Sequence, residues 1–343
     1  MQLYNKLSSN EREKILEASN LERITLSFYK YASIKNPAKL RDDFFIFLNS
    51  IDVLGRVYIA NEGINAQLSL PKKNLNIFSN YLMKIYFLED LHINVALQHN
   101  LKSFLKLKIK VKNKIVADGL NDESFDVTKK GEHLNAKEFN KHMKHKNSIV
   151  LDMRNHYESE IGHFKEAICP DVDTFRDSLS IIEREVLKNK KNKKLLMYCT
   201  GGIRCEKASA YFKYKGFQNV YQLEGGIIEY VKQVKKQGLE NNFIGKNFVF
   251  DNRMAEEAGK QIIANCHQCG TPFDIHTNCA NDACHLLFIQ CNDCKEIMEN
   301  CCSYECRETY SKPFDEQKAS RKGKKTKYEI FKKGRTTKVS RIN

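Results

Sequence analysis

Alternation of apolar and polar residues is clearest in the first third of the chain. It predicts strands over residues 24–31, 54–60 and 64–70, the last two joined by the turn Asn61-Glu62-Gly63. Apolar positions with helical spacing follow Pro37 and recur after Pro71, and two further strands are expected near residues 93–97 and 105–111. A short amphipathic leader helix is expected over residues 1–20.

The order β-α-β-β-α-β over residues 21–120 is that of a ferredoxin-like, or acylphosphatase-like, α+β domain. Its turn Asn61-Glu62-Gly63-Ile64-Asn65 is either a plain hairpin or a substrate contact. After a linker near residues 121–131, strands and helices alternate over residues 130–236, which predicts an α/β domain with a parallel sheet.

One apolar run in that second domain ends in a cysteine. Cys199 is followed by the loop Thr200, Gly201, Gly202, Ile203 and Arg204, and residues 206–215 read as an amphipathic helix with Gly216 as its C-cap. A thiol between a strand end and a helix N-terminus lies in a cup of backbone N–H groups. This setting stabilises a thiolate or a persulfide anion, so we expect Cys199 and Arg204 to be catalytic and residues 200–203 to cradle the anion.

The length of the loop limits the size of the anion that it can bind. Cysteine phosphatases separate their cysteine and arginine by five residues, whereas Cys199 and Arg204 are separated by four. The shorter loop suits a smaller anion than phosphate, such as the outer sulfur of a persulfide. The alternative is an inert buried thiol.

Segments on both sides of the loop resemble the rhodanese domain. They are the strand ending in Asp152 and Arg154, the segment from Glu158 to Gly162-His163-Phe164, and the turn Glu224-Gly225-Gly226. Asp152 and Arg154 are expected to support the base of the loop through hydrogen bonds and an ion pair. Glu166 departs from the resemblance, since many rhodanese domains have glycine there.

The charged residues are unevenly distributed along the chain. The 343 residues carry a net charge of +15, and residues 311–343 hold twelve Lys or Arg against three Asp or Glu. Such a tail is expected to be disordered and to suit a polyanion. Lys106, Lys108 and Lys110 fall on one face of a predicted strand and form a second basic stripe, which is either an RNA contact or a solvated sheet face. No run of 18 apolar residues and no apolar leader occurs, so a cytoplasmic protein without a membrane partner is expected.

Nine of the twelve cysteines lie between Cys266 and Cys306. Cys266, Cys269, Cys291 and Cys294 form two Cys-x2-Cys pairs, which predict a structural zinc site in a cysteine-rich unit over residues 246–310. The remaining cysteines and two histidines are numerous enough for a second site whose ligands the spacing leaves open. A reduced thiol-rich module and an iron–sulfur site are the alternatives.

The whole chain, over about residues 21–306, resembles the bacterial tRNA uridine hydroxylase family. The resemblance rests on Asn61-Glu-Gly-Ile-Asn65, on Cys199-Thr-Gly-Gly-Ile-Arg-Cys205 and on the cysteine pattern from Cys266 to Cys291. It implies tRNA as partner and O2-dependent formation of 5-hydroxyuridine at the wobble position. It also implies that Cys199 is the active cysteine.

The chain contains no Gly-x-Gly-x-x-Gly fingerprint for a flavin or nicotinamide. We therefore consider a covalent route in which the Cys199 thiolate adds to C6 of uracil and the electron-rich C5 reacts with O2. The main alternative is a persulfide sulfurtransferase that takes sulfur from thiosulfate or a sulfur-carrier protein. A non-catalytic RNA-binding module is a third class, which the retained Cys199 disfavours.

Overall fold

A computed structural model of the chain describes residues 3, 5, 7–19, 21–120, 125–188, 190–322 and 339–342. Their first part is an α+β unit built on a five-stranded sheet. Its elements are α1 (Ser9–Ala18), β1 (Arg23–Tyr31), α2 (Pro37–Ser50), β2 (Leu54–Ala60), β3 (Gly63–Pro71), α3 (Leu75–Met83), β4 (Ile93–Val95) and β5 (Leu107–Val111).

The strand order β4-β1-β3-β2-β5 confirms the ferredoxin-like prediction, with β5 added in parallel beside β2. Helix α2 begins where Asn36 caps Lys39 and Pro37 takes the first position, and it buries Phe44, Phe45 and Leu48 against the sheet. The predicted helix after Pro71 starts later than expected. Pro71 is still paired with Arg23 in the sheet, and a short 3-10 turn precedes α3.

The second unit is a rhodanese-like parallel sheet of order β6-β10-β9-β7, as predicted. Its elements are β6 (Glu132–Leu134), α4 (Ala136–Met143), β7 (Ser148–Asp152), α5 (His156–Glu160), β8 (Gly162–Phe164), α6 (Phe175–Ile181), a π-helical turn (Ile182–Val186), β9 (Lys194–Tyr198), α7 (Ile203–Tyr214), β10 (Val220–Leu223) and α8 (Gly226–Gln237). Residues 121–124, within the predicted linker, lie outside the described residues.

Helix α7 differs from its prediction, because it is not amphipathic. All residues from Arg204 to Ala210 are buried, including the charged Glu206 and Lys207. One side of the helix packs on the parallel sheet and the other meets the first unit. There Glu206 accepts a hydrogen bond from Tyr29 Oη at 3.1 Å, and Lys207 Nζ lies 2.6 Å from a Glu62 oxygen. The part of the helix from Arg204 to Ala210 lies between two units, so its polar residues do not mark a solvent face. Exposed residues, Lys213 and Tyr214, occur only near the C-terminal end of the helix.

The cysteine-rich unit is joined to the rhodanese-like unit by main-chain pairing. Its elements are β11 (Phe243–Phe248), β12 (Ala255–Glu257), β13 (His276–Asn278), β14 (Leu287–Ile289), α9 (Asn292–Met298), α10 (Tyr304–Tyr310) and α11 (Phe314–Arg321). Strand β11 pairs antiparallel with β8 and with β12. The predicted start at residue 246 falls inside this strand.

The basic tail also differs from its prediction. Residues 314–321 form helix α11 in place of disorder, and residues 339–342 return to the cysteine-rich unit. The stretch 323–338, which holds seven of the basic residues, lies outside the described residues. Within the described ranges, no helix is long and apolar enough to cross a membrane.

Candidate active site

The loop after β9 surrounds Cys199 with main-chain donors. The Gly202 N–H donates to Cys199 Sγ at 3.1 Å, and the N–H groups of Arg204 and Cys205 also point to this sulfur. Gly202 has φ +101°, and a Cβ there would lie 2.8 Å from Tyr29 Oη, so the loop needs glycine at this position. Of the predicted cradle residues 200–203, Gly202 donates to the Cys199 sulfur, and the other main-chain donors come from Arg204 and Cys205 at the start of α7.

Cys199 is set up as a thiolate. Burial by itself would raise the pKa of Cys199, but the Cys205 thiol, the Arg204 charge and the loop N–H groups outweigh it and lower the pKa to about 6. Burial and the neighbouring Cys199 thiolate raise the pKa of Cys205 well above its ordinary value, so Cys205 keeps its proton. Cys205 thus donates a hydrogen bond to Cys199, a contact that the sequence did not predict.

Arg204 is held by a carboxylate that the sequence analysis did not assign to the site. Arg204 donates to both oxygens of Glu158, at 2.5 and 2.8 Å, and Glu158 is fully buried on α5. This bidentate pair fixes the guanidinium beside the cysteine loop. The sequence signal was the position of Glu158 in the rhodanese-like segment, four residues after Arg154, but it did not show which cation Glu158 would meet.

Asp152 and Arg154 support the end of β9, the strand that precedes Cys199. Arg154 Nη2 lies 2.7 Å from Asp152 Oδ2, and Tyr198 Oη donates to the same oxygen at 2.7 Å. Both charged side chains are fully buried. They hold the last residue of β9 rather than the loop itself, because Tyr198 is the residue that reaches them.

The Glu224-Gly225-Gly226 turn closes the site from the other side. Ile227 N–H donates to the Cys199 carbonyl at 3.0 Å. Gly226 has φ +65°, and a Cβ there would lie 2.5 Å from that carbonyl oxygen. Glycine lets α8 start directly against the cysteine loop.

Cys199 lines a cavity of about 280 Å³ between the first sheet and the rhodanese-like loop. Tyr29, Tyr58 and Phe250 supply aromatic walls, and Arg204 lies over the Phe250 ring at 5.9 Å. The loop side of the cavity is formed by Thr200, Gly201 and Ile203. A cavity of this size with aromatic walls and a reactive thiol fits a single flat heterocycle.

Side-chain amides enter this cavity from the first unit. Asn65 and Gln67 on β3 and Asn94 on β4 line it, and Asn94 Nδ2 donates to the Gly201 carbonyl at 3.3 Å. Asn65 belongs to the turn motif for which a hairpin and a substrate contact were both considered. The structure shows a hairpin whose Glu62 pairs with Lys207, and whose Asn65 faces the cavity.

The predicted lysine stripe continues the cavity-lining face of the first sheet. Arg56 and Tyr58 line the cavity and are the register partners of Lys108 and Lys110 on β5. Register partners on neighbouring strands project to the same face. Lys108 and Lys110 are exposed, and Lys106 precedes them in the same alternation.

The cysteine-rich unit brings together the four predicted metal ligands Cys266, Cys269, Cys291 and Cys294. Their sulfur atoms all lie within 4.8 Å of one another. A second group, Cys279, Cys284, Cys302 and Cys306, satisfies the same criterion. The first group is linked to the active site, since His267 Nε2 lies 2.8 Å from Glu160 Oε1 on α5, the helix that also carries Glu158.

Comparison with known families divides the chain into the same three units. Residues 23–115 match the UPF0176 acylphosphatase like domain, residues 135–233 the rhodanese-like domain, and residues 244–307 the rhodanase C-terminal domain.

Curated relatives match nearly the full length. A tRNA uridine(34) hydroxylase of Leptospira interrogans (serovar Lai) is 52% identical, over 97% of this chain and 90% of that protein. Proteins of the same name are 49% identical in Photorhabdus laumondii and 48% in Enterobacter sp. (strain 638), each over 97% of this chain and 95% of the relative.

Proposed function

Because this chain belongs to the tRNA uridine(34) hydroxylase family, we propose that it hydroxylates uridine 34 of tRNA at C5, in the cavity beside Cys199. The observation that carries the proposal is a cysteine with a pKa of about 6 at the edge of a cavity the size of one base. The hydroxylase reaction needs the base to leave its stack and enter a pocket, as other base-modifying enzymes require.

The proposed covalent step uses Cys199 as a nucleophile. The thiolate sulfur forms a bond to C6 of uracil, and the π electrons of the C5–C6 bond move to C5 and the C4 carbonyl. Asn65, Gln67 and Asn94 line the cavity with amide groups that suit the carbonyl and N–H edge of a uracil. Arg204, held by Glu158, keeps positive charge beside the sulfur before it reacts and after it is released.

The oxygen balance requires O2 and a two-electron donor. O2 adds at the electron-rich C5 to form a hydroperoxide, and two thiols reduce this group to a hydroxyl, releasing water and a disulfide. Loss of the C5 proton then expels Cys199 from C6, which restores the double bond. The sum is uridine, O2 and two thiols giving 5-hydroxyuridine, water and a disulfide.

Three lysines provide the proposed contact with tRNA phosphates. Lys108 and Lys110 are exposed on the sheet face that continues from Arg56 and Tyr58 at the cavity, and the half-buried Lys106 immediately precedes β5. A nucleotide in the cavity would place its neighbours along this face, where lysine ammonium groups pair with phosphates. Because tRNA is a cytoplasmic substrate, we also propose that the enzyme acts in the cytoplasm.

Zinc is the proposed ion for Cys266, Cys269, Cys291 and Cys294. Cys269 Sγ lies 3.5 Å from Cys291 Sγ, and Cys291 N–H donates to Cys266 Sγ at 3.3 Å. Four thiolates around one ion satisfy tetrahedral Zn²⁺ without an open position, which makes the site structural. Through His267 and Glu160 it would steady α5 and its Glu158.

The function is tested by mass spectrometry of nucleosides from tRNA incubated in air with the full chain, a thiol reductant, and ¹⁸O2 in a parallel sample. We expect 5-hydroxyuridine with one ¹⁸O atom from the wild type and none from Cys199→Ala. Cys169→Ala, which alters a cysteine outside the cavity lining, is the matched control and should keep the activity.

Two results would contradict the proposal. Full product formation by Cys199→Ala would exclude the covalent role of that thiol. Absence of product from the wild type, together with sulfur release from thiosulfate that depends on Cys199, would assign the loop to sulfur transfer instead.

A further inference from the structure

Four cysteines outside the two Cys-x2-Cys pairs lie close together in the cysteine-rich unit. Cys284 Sγ lies 3.7 Å from Cys302 Sγ, and Cys302 Sγ lies 3.7 Å from Cys306 Sγ. Cys279 completes a group whose sulfurs are all within 4.8 Å of one another. Zn–S bonds of about 2.3 Å in a tetrahedron place the sulfurs about 3.8 Å apart. The group therefore has the spacing of a thiolate shell around one ion.

The main-chain surroundings of this group match those of the first. Cys302 N–H donates to Cys279 Sγ at 3.4 Å, just as Cys291 N–H donates to Cys266 Sγ at 3.3 Å. An N–H directed at sulfur stabilises a thiolate more than a neutral thiol. All four cysteines are free, and two of them, Cys284 and Cys306, are only half-buried, which distinguishes the group from an ordinary apolar core.

From this geometry we propose that the cysteine-rich unit is a two-metal module, in which Cys279, Cys284, Cys302 and Cys306 bind a second zinc ion. The four thiols lose their protons to solvent as the ion binds, so affinity falls at low pH. A single tetrahedral ion fits sulfurs this close, whereas a multi-iron cluster gives each thiolate its own iron. This inference does not depend on the hydroxylase activity.

The second site also anchors the returning C-terminal segment, residues 339–342. Ser340 N–H donates to the Cys302 carbonyl at 2.9 Å, and Val339 packs in the same apolar cluster as Cys279 and Cys302. Ile342 N–H donates to the Gln268 carbonyl at 3.0 Å, and Ile342 packs beside the first cysteine group. The segment thus lies across both groups, and the second ion holds the loop to which it is hydrogen-bonded.

The test is elemental analysis of the purified full chain, expressed with zinc and iron present and dialysed in a reducing buffer. We expect two zinc ions per chain in the wild type, one in Cys302→Ser and one in Cys294→Ser. Cys301→Ser is the matched control, because this neighbouring cysteine is fully buried yet belongs to neither group, and it should keep both ions.

A second readout follows the C-terminal segment. Amide hydrogen exchange of residues 339–342 should be at least tenfold faster in Cys302→Ser than in Cys301→Ser. If Cys302→Ser does not fold, Cys306→Ser and mercurial release of zinc from the wild type give the same count. If the wild type holds one zinc per chain and Cys302→Ser holds the same amount, the second site does not exist. Iron in place of the second zinc would show that the metal assignment is wrong. Unchanged hydrogen exchange in Cys302→Ser would show that the site does not anchor residues 339–342.

Discussion

At the residue scale, Cys199 and Cys205 differ in their protonation, although both are buried. Burial raises the pKa of each thiol, yet only Cys199 receives the loop N–H groups, the Arg204 charge and a thiol donor. The result is one thiolate and one thiol at neutral pH. Cys205 is therefore a positioning residue for Cys199, acting through the hydrogen bond that it donates.

Replacing Cys205 with alanine should raise the pKa of Cys199 from about 6 by about one unit, because one donor to the thiolate is lost. The measurement is the alkylation rate of the Cys199 peptide against pH. In the wild type the rate should be half-maximal near pH 6 and fall tenfold per unit below it, since only the thiolate reacts. Cys169→Ala should leave this profile in place, and an identical midpoint in Cys205→Ala would refute the positioning role.

Glu166, at a position where many rhodanese domains have glycine, adopts a backbone conformation that favours glycine. Its φ is +61°, in the left-handed region that costs an L-residue about 1–2 kcal/mol. Glu166→Gly should therefore raise the free energy of unfolding by about 1 kcal/mol. Urea unfolding measures this, with Lys165→Gly as a neighbouring control that should destabilise. Equal or lower stability of Glu166→Gly would show that the glutamate side chain compensates the strain.

At the element scale, helix α7 joins the rhodanese-like unit to the first unit through a buried cation. Lys207 Nζ lies 2.6 Å from Glu62 Oε2 and 2.5 Å from Asp118 Oδ2, and Lys207 and Asp118 are both buried. Burial raises the pKa of Asp118, but hydrogen bonds from Lys114 and Lys207 outweigh it and keep the pKa below its usual value. The same helix presents Arg204 to Glu158, so the interface and the active site share one element.

Lys207→Met should lower the free energy of unfolding by roughly 3–5 kcal/mol at pH 7, because Asp118 is left as a buried charge without this partner. A depressed carboxyl pKa contributes stability above the unfolded-state value, about 3.9, and that contribution disappears as pH falls through the folded-state value. The gap between variant and wild type should therefore narrow below about pH 4.

Urea unfolding of both proteins at several pH values measures the gap. Lys213→Met is the control on the same helix, since Lys213 is exposed and should change stability by less than about 0.5 kcal/mol. If Lys207→Met lowers the free energy of unfolding no more than the control does, the buried ion pair does not stabilise the contact between the units.

At the scale of the whole molecule, the cavity exists only because the three units meet. The first sheet provides Asn65, Asn94, Tyr29 and Tyr58, the rhodanese-like loop provides the thiol, and the cysteine-rich unit adds Phe250 to the aromatic wall. The lysines on β5 extend the same sheet face outward. A base held at Cys199 is therefore expected to leave its neighbouring phosphates over the first unit, not over the rhodanese-like one.

The double variant Lys108→Ala, Lys110→Ala should weaken tRNA binding similarly for all tRNAs and reduce the slope of log affinity against log salt by about 2. Binding titrations at several salt concentrations measure both effects. Lys235→Ala with Lys236→Ala removes the same charge from exposed positions on α8 and should leave the slope nearly unchanged. An equal loss of tRNA affinity and of salt slope in the two double variants would show that Lys108 and Lys110 contribute only through net charge.

Local pattern in the sequence was enough to predict the fold class, the cysteine loop and the grouping of Cys266, Cys269, Cys291 and Cys294. Each is encoded within one short stretch or one repeated spacing: alternation for strands, Cys-x4-Arg before a helix, and two Cys-x2-Cys pairs. These patterns reflect backbone geometry, which acts over a few residues. The family resemblance added the substrate, which no local pattern carries.

Only the tertiary structure decided the contacts between distant residues. It paired Arg204 with Glu158, placed Asn65 and Asn94 beside Cys199, buried the polar side of α7, and selected Cys279, Cys284, Cys302 and Cys306 as the second group. Arg204 and Glu158 are 46 residues apart, and Cys284 and Cys302 are 18 residues apart, so no local periodicity relates them. Several pairings satisfy the same charges and thiols, so the choice among them is made by the packing of the units against one another.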